Sequence, residues 1–189
     1  MRLAAIFLAM LALSAGRASA ADSPLFNQFQ GFCVGHDGAQ APALAAADAD
    51  GWMTLDSSMV PMPTTGAFAL KAFQVRMKPA GAHVQMLVVG EGTTQSGPTP
   101  MNVRLCMVVS QPADPLAMEA TKTWLGVAPF LTSSQISLYM FGAGGATPRP
   151  LTKDTLPTAL KDGSARMVMI PTVSDKASML MYAKPKPAV

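Results

Sequence analysis

The sequence predicts an α+β domain: a mainly antiparallel sheet of five or six strands, two or three helices packed on one face, and one disulfide. Three observations predict it. Several apolar runs have a period of two and lie at hairpin-like spacing, with few crossovers between them. Two Ser/Asp-Pro pairs, Ser23-Pro24 and Asp114-Pro115, open stretches of helical period. The chain has only two cysteines, Cys33 and Cys106, a count that suits a single bridge in an oxidising compartment.

The N-terminus sets that compartment. Met1-Arg2 is a short positive region, Leu3–Leu13 is uninterrupted and apolar, and Ala18-Ser19-Ala20 supplies the small residues of a signal-peptidase site. The apolar run is too short to span a bilayer, which takes roughly 20 residues. No comparable run follows, and neither a lipobox nor a twin-arginine pair is present. Residues 1–20 are therefore expected to be a signal peptide and the mature chain to be periplasmic or secreted, with no membrane span. Of the 189 residues, loss of those 20 leaves 169, enough for one domain with a core of its own. Without Arg2 and Arg17 the balance becomes 12 basic against 11 acidic residues, a net of +1. The high isoelectric point thus resides largely in the leader and does not argue for nucleic acid or an anionic membrane.

Along the mature chain, Ser23 caps a helix with Pro24 at its first position. Leu25, Phe26, Phe29, Phe32 and Cys33 share one face of it, and Gly35 ends it. Cys33 thus points into the core beside three phenylalanines, which favours a structural role. The Ala-rich run Pro42–Asp50 makes a second helix, short-sided enough to lie close on a sheet, with Gly51 as its stop. Trp52 and Met53 are expected to enter the core, and Ser57–Thr65 to be a Pro-broken loop. In the next run Phe73, Val75 and Met77 alternate with Gln74, Arg76 and Lys78, a half-buried strand. Phe68 and Leu70 lie out of that phase, which calls for a bulge or a separate short strand.

Pro79-Ala80-Gly81 turns the chain into a partner strand, Ala82–Val89, and Glu91–Pro100 reads as a polar loop. Asn102–Ser110 is the central strand, with Val103, Leu105, Met107 and Val109 on one face and Arg104, Cys106 and Val108 on the other. Asp114-Pro115 begins a helix whose apolar stripe is Leu116, Ala117, Ala120, Trp124 and Val127. Ile136–Phe141, Ala165–Ile170 and Ser178–Tyr182 read as strands, the last two as a pair, and Thr155–Leu160 as a turn or short helix before Asp162-Gly163. The globular domain is placed at residues 21–182, and Ala183–Val189, a Pro/Lys stretch, is read as an extended tail.

No motif specifies a reaction. Asp48-x-Asp50-Gly51 matches the middle of an EF-hand loop, but that template would put its end ligands at Ala46 and Ser57. Cys33-x-x-His36 has metal-ligand spacing, yet a bridged cysteine is no thiolate ligand. Gly142-x-Gly144-Gly145 follows a strand but runs into Pro148 and Pro150, so no helix N-terminus faces a phosphate. The methionines give a sharper alternative. Thirteen of the 15 follow the leader, including Met59-x-x-Met62, Met86 near His83, and the in-strand pairs Met167/Met169 and Met179/Met181. Thioethers suit Cu(I), and each in-strand pair places both sulfurs on one face. Methionine is also a routine core filler.

No nucleophile elbow, S-x-x-K or H-E-x-x-H motif occurs, so no catalytic residues are assigned. No cofactor is expected either. The leading expectation is a non-enzymatic exported domain that binds an envelope protein, a small ligand or another envelope component. A copper-binding or metal-handling protein using His83, Met86, Met167, Met169, Met179 and Met181 is the alternative. An envelope hydrolase, with His36 or His83 paired in space with a serine and a carboxylate, is the third.

Phe29-x-x-x-Cys33, the Ala-rich run into Ala47-Asp48-Ala49-Asp50-Gly51-Trp52, and Arg104-Leu105-Cys106 carry a resemblance. Over the N-terminal half of the mature chain, the sequence is similar to small exported, single-disulfide proteins of alphaproteobacteria, a group with no assigned activity. The resemblance implies export, a disulfide and a compact α+β domain. It brings no site residues with it.

Overall fold

The computed structural model describes residues 23–60, 68–94, 101–143, 147–171 and 176–186. The expected leader lies outside them, as do Met62, Gly144 and Gly145. Within them, nine antiparallel-paired strands form one sheet: β1 (Met53–Leu55), β2 (Phe68–Ala80), β3 (His83–Thr94), β4 (Met101–Gln111), β5 (Leu131–Thr132), β6 (Ile136–Gly142), β7 (Arg149–Pro150), β8 (Ala165–Pro171) and β9 (Ser178–Pro185). Their spatial order is β1-β2-β3-β4-β9-β8-β6-β5, with β7 beside β6. Two meanders, one from each half of the chain, are joined at β4 and β9. The four α-helices are α1 (Pro24–Gln28), α2 (Gln40–Ala49), α3 (Ala117–Leu125) and α4 (Leu156–Lys161). The class is the expected α+β, and the sheet is larger than the five or six strands read from the pattern. Very short strands such as β5 and β7 carry too few alternations to show a period.

The first helix starts as its residues dictate. Ser23 Oγ accepts from Phe26 N, and Pro24 sits where a missing N–H costs nothing. Past Gln28 the helix widens into a π-helical segment, Phe29–Val34, which ends at Gly35. Leu25, Phe26, Phe29, Phe32 and Cys33 are all buried. They meet Leu87, Val89, Cys106, Val108, Val168, Leu180 and Tyr182 from the sheet, and Ala43, Leu44 and Ala47 from α2. Cys33 is bonded to Cys106 of β4, so the bridge ties the helical layer to the middle of the sheet. Asp48 and Asp50, the EF-hand look-alike, hold α2 onto β2 through Arg76 and Lys78.

Of the two readings of the phase change in β2, a bulge or a separate short strand, the bulge is the one that forms. The register shifts between Leu70 and Ala72, which returns Leu70 and Phe73 to the same face. Opposite this shift, Gly90 and Gly92 let the backbones touch: a Cβ on Gly90 would lie 2.1 Å from the Ala72 carbonyl oxygen.

Five expectations need correction. Trp52 is buried against Phe32, but Met53 is half exposed, because β1 is the edge strand and Met53 has a neighbour, Met77, on one side only. Glu91–Thr94 is strand rather than loop, paired with both β2 and β4. Leu116 is exposed, because α3 begins only at Ala117. Ala183–Pro185 belong to β9, where Ala183 is fully buried opposite Leu105 and Met167. The helices also do not all share one face: Leu156 of α4 packs on the opposite side of the sheet. That side carries Val88, Leu105, Met107, Met140, Met167, Met169 and Met181 as a second cluster.

Candidate functional site

After the π-helical segment the chain makes a tight reversal. Asp37 and Gly38 both take positive φ, 53° and 67°, a region that Asp tolerates and Gly enters freely. Gly38 N donates to the Cys33 carbonyl and Asp37 N to that of Val34. The reversal thus hangs directly on the disulfide-bonded turn. It sets Gly38 against the Tyr182 ring and aims the Asp37 carboxylate at the side chains that β8 and β9 project toward the helices.

Four donated hydrogen bonds converge on that carboxylate. Arg166 Nε and the Tyr182 hydroxyl donate to Oδ1, the latter at 2.7 Å. Arg166 Nη2 and Lys184 Nζ donate to Oδ2 at 2.8 and 2.6 Å. The Arg166 side chain is only 7% exposed, and its Nη1 is spent on the Gly163 and Ala165 carbonyls. Burial pushes the Asp37 carboxyl up, but the hydrogen bonds from Arg166, Lys184 and Tyr182 outweigh it and hold the group below the usual aspartate range. Burial first, then the adjacent Asp37 carboxylate, drives the Tyr182 phenol far up, so it remains a donor.

Above this cluster lies a cleft of about 330 Å³. Trp124, Phe141, Val34 and Pro148 supply its apolar wall, and Gln30, Asp37, Arg166 and Tyr182 its polar side. Trp124 is held edge-on by Phe29 and Phe141, with ring centroids 6.1 and 5.9 Å away. Gln30 Nε2 is buried and has no hydrogen-bond partner among the described residues, a condition that costs about 1–3 kcal/mol when nothing satisfies it.

A second cleft, of about 290 Å³, brings His83, Ser110 and Asp114 together. These are the residue types of a hydrolytic triad, but their hydrogen bonds run otherwise. Ser110 Oγ donates to the Pro112 carbonyl at 3.0 Å. His83 Nδ1 lies 3.3 Å from that same carbonyl and 3.4 Å from Ser110 Oγ. A carbonyl only accepts, so Ser110 spends its proton on Pro112 and does not direct it to His83. Asp114 accepts from Ser23 Oγ, Leu25 N and Leu116 N, at 2.8, 3.1 and 3.0 Å. It pins the start of α1 to the loop before α3, and its oxygens are occupied by those donors.

The methionines gather more completely than their spacing foretold. Met86, Met107, Met140, Met167, Met169, Met179 and Met181 all belong to the sheet face turned away from α1–α3, and no methionine appears in the helix-facing cluster among the described residues. Met107, Met181 and Met169 are direct cross-strand neighbours on β4, β9 and β8. His83 is not with them. Three residues from Met86 along one strand, it projects from the opposite face, where it meets Ser110.

Sequence reasoning missed Asp37, Arg166, Tyr182 and Gln30 altogether. The one local signal was Asp37-Gly38 itself, a dipeptide suited to left-handed backbone. Nothing in the order of residues says that positions 129 and 145 further on would meet it. No family model, curated protein or solved structure matches this chain.

Proposed function

We propose that this chain is an exported, periplasmic or secreted domain that binds a small ligand in the Asp37–Tyr182 cleft and carries out no reaction there. The observation that carries the reading is the cleft's construction. A rigid aromatic wall faces a cluster of charges paired around Asp37, with the buried Gln30 Nε2 left unpartnered among the described residues. An apolar wall facing a few fixed polar groups that orient what binds is how recognition pockets are built. Export is supported by the Met1–Ala20 pattern, and a single disulfide fits an oxidising compartment.

The test is native mass spectrometry of the chain recovered from the exported fraction without reductant. A chain beginning at Ala21, two hydrogens light, should carry a non-covalent mass that Gln30→Leu removes. An uncleaved, reduced chain in the cytoplasm refutes export. A retained mass indifferent to Gln30 refutes the cleft.

One observation favours a second reading, the handling of a soft metal. The Met107–Met181–Met169 row places thioethers on adjacent strands, about 5 Å apart at Cβ, within the range of three flexible side chains. Titration with Ag(I) or Cu(I) under anaerobic conditions tests it. Binding that disappears in Met169→Leu and Met181→Leu supports the reading, and binding that survives both refutes it.

A further inference from the structure

We infer that the Asp37–Tyr182 cleft selects small organic anions, a carboxylate borne on a flat apolar body; the inference rests on the cleft being the ligand site. It follows from counting hydrogen-bonding capacity. An ionised carboxylate offers about four acceptor positions, and Asp37 already fills two on each oxygen, with Arg166 and Tyr182 on Oδ1 and Arg166 and Lys184 on Oδ2. The acceptor side of the cluster is saturated.

What remains is donors. Gln30 Nε2 is buried and unpartnered among the described residues. Arg166 has one Nη2 hydrogen beyond those given to Asp37, Gly163 and Ala165. Lys184 does not line the cleft, and it adds its positive charge to the cluster through its bond to Asp37. Two cations against one carboxylate leave the cluster positive. A ligand ammonium would meet repulsion and find no lone pair on Asp37, whereas a ligand carboxylate would find both charge and unpaired N–H groups. The wall of Trp124, Phe141 and Pro148 then suits a planar hydrocarbon body, and a volume of about 330 Å³ lies at the small end of ligand pockets.

The experiment uses three probes of one shape and different charge: benzoate, benzamide and benzylamine. Each is titrated into the mature, disulfide-bonded chain while the Trp124 indole N–H is followed by ¹H–¹⁵N NMR, with Trp52, packed on Phe32, as the internal control. Benzoate should shift Trp124 saturably and bind at least tenfold more tightly than benzamide, with no response to benzylamine. Gln30→Glu should abolish the benzoate response. Lys184→Gln, a change at a partly exposed side chain, should weaken it severalfold in a chain that still gives a dispersed spectrum. Benzamide or benzylamine binding as well as benzoate overturns the anion selectivity and leaves the cleft as a ligand site. Silence with all three, while the Gln30-dependent mass persists in native spectra, also overturns the selectivity alone. Silence together with loss of that mass overturns both.

Discussion

Replacing Asp37 with Asn tests the cluster with the least disturbance to the backbone. Asn has the same size and, like Asp, tolerates the left-handed φ of 53° found at this position. It removes the charge and substitutes a donor for one acceptor, so Arg166 and Lys184 lose their counterion and two of the four converging bonds, those on the replaced oxygen, are opposed. Removing one member of a buried ion pair costs about 3–5 kcal/mol. Arg166 is 7% exposed, but Asp37 itself is 42% exposed, so water screens part of the interaction. A loss of about 2–3 kcal/mol is expected, a fall in Tm of about 5–10 °C for a domain of this size.

Urea unfolding of both proteins as a function of pH is the assay. Asp37 has a folded pKa below its ordinary value of 3.8. Its contribution is therefore complete above that value and is lost as pH falls through the folded pKa. The gap between wild type and Asp37→Asn should be flat from neutral pH down to about pH 5, and should narrow only below the ordinary aspartate range. A gap under about 0.5 kcal/mol, or one that widens in acid, would refute the account of the cluster.

Four further outcomes follow from the same structure. Reducing the Cys33–Cys106 bridge, whose ends are 73 residues apart, should lower stability by up to about 4 kcal/mol in urea titrations with and without reductant; a loss below about 1 kcal/mol would show that the helical layer does not depend on it. Gly90→Ala, whose Cβ would press on backbone of β2, should cost about 2–3 kcal/mol by thermal or urea unfolding, and a neutral result would contradict the close strand approach. Asp114→Ala frees three donors, two of them at the cap and first turn of α1, and should cost about 2 kcal/mol, read as faster amide exchange over Leu25–Asn27. Met181→Leu conserves volume and should change stability by less than about 1.5 kcal/mol, so any larger effect on Ag(I) binding would be a ligand effect and not a loss of fold.

Local physics made much of the fold legible. Ser23-Pro24 fixed a helix start because the cap and the missing N–H are properties of adjacent residues. Phe68 and Leu70 against Phe73 and Val75 announced a break in phase, by a bulge or a separate strand, because a strand has only two faces. The disulfide followed from there being two cysteines and no third. Met53 and Ala183–Pro185 were misread for a complementary reason. Whether a short strand lies at an edge, or a Pro/Lys stretch is drawn into the sheet, depends on what pairs with it. That partner is far away in sequence.

By itself, then, the sequence determined the class, the first helix and its buried face, the bridge and most strand positions, all of which depend on periodicity or on neighbours a few residues apart. Only the tertiary structure decided the site. Asp37 became the centre of a charge cluster because β8 and β9 lie side by side under the π-helical turn, bringing Arg166, Tyr182 and Lys184 to one carboxylate. The same strand pairing gathered the methionines on one face and put His83 on the other. Hydrogen bonds and ion pairs act over a few ångströms, and the chain order carries no record of which distant residues will fall within them.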